Sequence, residues 1–346
     1  MVRTAPSQAD IELIAMLAAR GVVVSATQLE RWRRAGLLPR PQVSSDGRLG
    51  TRVTHPGGLA DLVASVARHA RRGRPLEITA FAVFLDGHDS VSDGLLLAGV
   101  RRAAENFAAE WERCRAQAVR ALQTADPDAP VDELAIAEHI AAEFARNNGR
   151  MVRQWRRNLR RHPPPDATAD NRENVLGGAL TTVFRLMGAD QPEADDSLVD
   201  LAAASGSNGA FETAPFADSP AVPEGAVALR GVFGGFDAVS ILRRAGDVTA
   251  DELRHGFVVF SALSRVISAV PEDVRYFLGA LDIPCPDPEN PEGSALMLLA
   301  FLKMSAPLID TGPLIEIGQH LGLFSERDSA QIQRSARWLN ARPVGW

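Results

Sequence analysis

Val24-Ser25-Ala26-Thr27-Gln28-Leu29-Glu30-Arg31-Trp32-Arg33-Arg34-Ala35-Gly36-Leu37-Leu38-Pro39 is the stretch on which the fold reading turns. Ahead of it, Asp10 to Arg20 reads as a first helix closed by Gly21, and Ser25 or Thr27 can cap a second helix that runs to Ala35. Two short helices joined by a tight connection form a helix-turn-helix candidate. Leu29 and Trp32, three residues apart, are placed to dock on a scaffold, which leaves Gln28 and Arg31 free. The plainer reading of the same residues is a basic helical hairpin with a solvated arginine face.

After this helix, Gly36-Leu37-Leu38-Pro39 acts as a stop. Gln42 to Thr54 reads as a hairpin with Asp46-Gly47 at its turn and Arg48 and Arg52 on it, and an apolar helix face begins at Leu59 and continues through Leu62, Val63, Val66 and Ala67. This order resembles the winged helix-turn-helix of MerR-type transcription regulators, with Gly73-Arg74-Pro75-Leu76-Glu77-Ile78 standing in the place of the element that closes that family's second helix pair. The resemblance spans about residues 10 to 122. It implies a DNA-binding domain over 1–85, in which Thr27, Gln28 and Arg31 meet the major groove and Ser25 belongs to the same DNA-binding surface. Arg33, Arg34 and Arg40, with the wing residues Arg48 and Arg52, would hold phosphates. It further implies a long helix that pairs antiparallel with its counterpart. Val100, Ala103, Phe107, Trp111, Cys114, Ala118 and Leu122 form one continuous stripe suited to that role, with Val100, Phe107 and Trp111 as the homodimer contacts. Glu30 and Arg31 depart from the family's usual arginine and tyrosine, and Thr54 stands where the wing usually ends in tyrosine.

The bulk composition is that of an ordinary globular protein of two or three domains: 346 residues, 46% hydrophobic and 23% charged. A net charge of -6 argues against nucleic acid binding over the whole surface. The charge is unevenly distributed, however. Met1 to Leu85 carries 12 arginines against 6 acids, and Arg146 to His162 carries 7 arginines and no acid. In that second island Arg146, Arg150, Arg153, Arg157 and Arg160 fall on one side of a helix, with Val152, Trp155 and Leu159 on another. It reads as a second DNA contact, as a helix docked on the chain's own acidic regions, or as a membrane-surface helix. Cys114 and Cys285 form no CxxC pair, which points to a reducing compartment without a disulfide framework or zinc knuckle. With no leader pattern and no spanning segment, the expectation is a cytoplasmic protein with no membrane partner.

The expected fold class is mainly α, with an N-terminal winged helix-turn-helix (1–85), a helical dimerisation and basic-helix region (93–162), a linker with a short helix (163–228) and a helical C-terminal domain (229–346). Thr249 with Glu252 and Ser325 with Asp328 are capping signals, Pro271 suits a helix start and Gly322 a stop. No catalytic constellation emerges. Asp251 and His255 stand one turn apart without further metal ligands. Asp86-Gly87-His88-Asp89 with Asp93 lacks a calcium loop's spacing and reads as a polar turn. Gly231 to Phe236 lacks the lysine of a phosphate loop. No enzyme activity, metal or cofactor is expected.

These readings lead to a sequence-specific DNA-binding transcription regulator acting as a homodimer on an inverted repeat of double-stranded DNA. Its C-terminal helices would take a protein partner or a small apolar effector, or simply pack. The alternative is an architectural or interaction protein of a plasmid, phage or defence DNA-processing system, whose C-terminal helical domain binds another protein.

Overall fold

The computed structural model describes residues 6–45, 51–127, 131–147, 238–269, 286–304 and 311–341. The first helix, α1 (Gln8–Ala19), starts where Ser7 accepts from the Asp10 amide, and it ends at Gly21, whose positive φ only glycine adopts readily. A capping box starts α2 (Ala26–Arg34): Ser25 Oγ accepts from the Gln28 amide while the Gln28 side chain accepts from the Ser25 amide. Gly36, also at positive φ, turns Leu37 and Leu38 into the core. An antiparallel ribbon follows, β1 (Gln42–Ser45) against β2 (Thr51–Thr54), in the register Gln42 to Thr54.

Two further helices carry the inner layer. α3 (Leu59–His69) is amphipathic, whereas α4 (Leu76–Leu85) is apolar all round, and every residue from Ile78 to Leu85 is buried. A helix of that composition is stable only when packed on all sides. Its neighbours are α3, α5 (Asp93–Ala125) and α9 (Pro291–Met304). Gly99 of α5 permits the closest approach, since a Cβ there would lie 2.6 Å from the Glu77 carbonyl oxygen.

The remaining described helices are α6 (Glu133–Asn147), α7 (Ala238–Asp247), α8 (Ala250–Ala269), α10 (Gly312–His320) and α11 (Glu326–Asn340). The expected capping signals are present: Glu252 accepts from the Thr249 amide, Asp328 accepts from the Ser325 amide, and Gly322 stops α10 at positive φ. Chain segments far apart in sequence build one core, with Phe84 of α4 against Phe257 of α8 at 4.9 Å between ring centroids, and Phe260 against Phe301 at 5.3 Å. Polar contacts fasten the same seam. Arg254 binds Asp93 at 2.6 Å, Asn106 donates to Glu292 at 2.7 Å, and Arg71 pairs with Glu289. Arg101 donates to the carbonyls of Ala245 and Gly246, near the negative end of α7.

The winged helix-turn-helix architecture and the MerR-type resemblance are corrected here: the fold is mainly α-helical, and a wing is not supported. The ribbon is the only β structure among the described residues, four residues to a strand, and residues 46–50 at its turn lie outside them. Its outgoing end is held against α1 instead of projecting from the molecule. The long helix overturns the rest of the resemblance. Leu96, Val100, Ala103 and Ala104 of α5 are buried against α4, α7 and α9, and Ala108, Trp111 and Ala118 pack on Ile136 and Ile140 of α6. The stripe expected to meet a second copy is therefore satisfied within the chain, Val100 and Trp111 fully and Phe107 in part. Helical periodicity shows that a face must be covered, and it is silent on whether the same chain covers it.

Candidate functional site

Two buried polar clusters hold the N-terminal elements together. In the first, Arg33 of α2 grips Asp10 of α1 with both terminal nitrogens, at 2.5 and 3.1 Å, and His55 after β2 approaches the same carboxylate at 3.3 Å. Only 8% of the Arg33 side chain and 13% of Asp10 is exposed. A bidentate guanidinium–carboxylate pair of this kind fixes direction as well as distance. Arg33, expected at a phosphate, is therefore committed to holding α1, α2 and the ribbon in place.

The second cluster centres on Asp86, the residue that ends α4. It accepts from Ser65 Oγ at 2.6 Å, from Arg68 at 3.0 Å and from His69 Nε2 at 2.8 Å, all three on α3. The residues at 65, 68 and 69 share one face because they lie three and four apart on a helix. Ser, His and Asp meet here, but both the serine and the histidine address the carboxylate, and Ser65 and His69 are buried. The cluster clamps two helices together and presents no nucleophile to solvent. Asp86 lies in the polar turn expected after Leu85, and the Ser65, Arg68, His69 spacing is the signal that its carboxylate points inward to α3.

Burial alone would raise the pKa of Asp86, but the bonds from Ser65 and His69 and the charge of Arg68 outweigh it and hold the carboxyl below its ordinary 3.8. Asp10 is lowered in the same way, burial being overcome by Arg33, and Glu252 by the Thr249 amide and Arg244. A carboxyl whose folded pKa lies below its unfolded value contributes stability above the unfolded pKa and loses it as pH falls through the folded one. Urea unfolding across a pH series is expected to show stability declining below about pH 4. Asp86→Asn should flatten that acid limb, and an unaltered limb would refute the assignment.

The other residues singled out by sequence divide clearly. Thr27, Arg31, Arg34 and Arg40 are exposed, with Arg34 paired to Glu30 at 2.9 Å. Ser25 and Gln28 are engaged with each other in the capping box. Arg48 lies outside the described residues and Arg52 falls on β2, with no described side chain. Arg146 ends α6 exposed, while Arg150, Arg153, Arg157 and Arg160 fall outside the described residues, as do Pro271, Gly231 to Phe236 and the short helix expected in the linker. Asp251 pairs with Arg254, and His255 bonds Ser335 and stacks on Trp338 at 4.4 Å, so neither is arranged as a metal ligand. Among the described residues no three acidic, histidine or cysteine side chains form a metal-holding group, and no helix is long and apolar enough to cross a membrane.

The surface also exposes several large apolar side chains. On α10, Ile317 is 45% exposed and Leu321, the residue that caps its C-terminal end, is 39% exposed, while Gly318 is buried against the Phe324 ring. On α1, Ile11 and Met16 are about half exposed although Leu13 and Leu17 of the same helix are buried.

No known protein family, curated protein or solved structure matches this chain. The functional reading therefore rests on the molecule's own surfaces. Sequence-specific DNA reading by a winged domain is withdrawn along with the architecture it required.

Proposed function

We propose that this chain is an architectural or interaction protein that works by binding, without catalysis, and that its C-terminal helices hold another protein in a cytoplasmic assembly. The observation that carries this reading is the exposed pair Ile317 and Leu321, next to the turn into α11. Their neighbours Leu314 and Ile315 pack against the cluster of Ala262, Val266, Phe324 and Ile332, so α10 is held rigidly while its other side faces solvent. Rigid presentation of two aliphatic side chains one turn apart is the arrangement used by helices that bind partners, because little ordering entropy is lost on association.

The test is a photo-crosslinking residue placed at Glu316 in the full chain, followed by reconstitution with the purified cross-linked protein. One partner at fixed stoichiometry is expected, with affinity lowered at least tenfold by Ile317→Glu combined with Leu321→Glu. A partner bound equally well by the double variant overturns the assignment of the surface. Conversion of a small substrate by the purified chain overturns the reading itself.

A further inference from the structure

We draw no further inference here: the strongest candidate, the open cleft between Pro39, the start of α3 at Gly57 and Gly58, and the turn Gly87 to Ser90, offers a ligand only a helix N-terminus, because none of its polar side chains, His88, Asp89 and Ser90, is buried.

Discussion

Replacing Phe84 by alanine will lower the unfolding free energy of the whole chain by about 4 kcal/mol, the usual cost of emptying a buried aromatic site. Phe84 is 1% exposed and touches both Phe81 within α4 and Phe257 of α8, at 5.8 and 4.9 Å between centroids. The cavity would therefore open at the seam between the N-terminal helices and residues 238–341. Because one core runs through both, amide exchange should accelerate together in α4, α8 and α9. Acceleration confined to α3 and α4 would show that the C-terminal helices unfold separately.

Asp10→Ala is the second large effect, about 3 kcal/mol, because it strands a buried guanidinium instead of merely deleting a contact. Arg33 and His55 both address that one carboxylate, and Arg33 has little access to water in exchange. Trp32, next in sequence and 3% exposed, gives a fluorescence signal for the unfolding of this region in denaturant. Adding Arg33→Met to Asp10→Ala should recover most of the loss, since an apolar pair of similar volume replaces a buried ion pair at little cost. If the double variant is as unstable as Asp10→Ala alone, the stranded charge is not the cause.

Much of the helical framework was legible in the residues themselves. Ser25, Thr249 and Ser325 start helices and Gly21, Gly36 and Gly322 end them, because capping and left-handed turns are local chemistry acting over three or four residues. The Gln42 to Thr54 pairing was legible in its two short extended runs, while the Asp46-Gly47 turn expected between them lies outside the described residues. The polar clusters were much harder to see. Asp10 and Arg33 are 23 residues apart and Asp86 is 17 from His69, and no local rule links them. Arg33 misled for the same reason, since sequence counts charge without showing which charges are turned inward.

The sequence alone determined that the chain is mainly helical, where several helices begin and end, and that α5 carries an apolar stripe about six turns long. Tertiary structure decided what covers that stripe. Burial against α4, α6, α7 and α9 removed the dimer seam and the regulator architecture built on it, and among the described residues left exposed large apolar side chains on α1, α6, α7 and α10. Periodicity records only that a face avoids water. Whether its partner is the same chain or another molecule depends on tertiary contacts, those with α7 and α9 between residues more than a hundred positions apart, which local spacing does not encode.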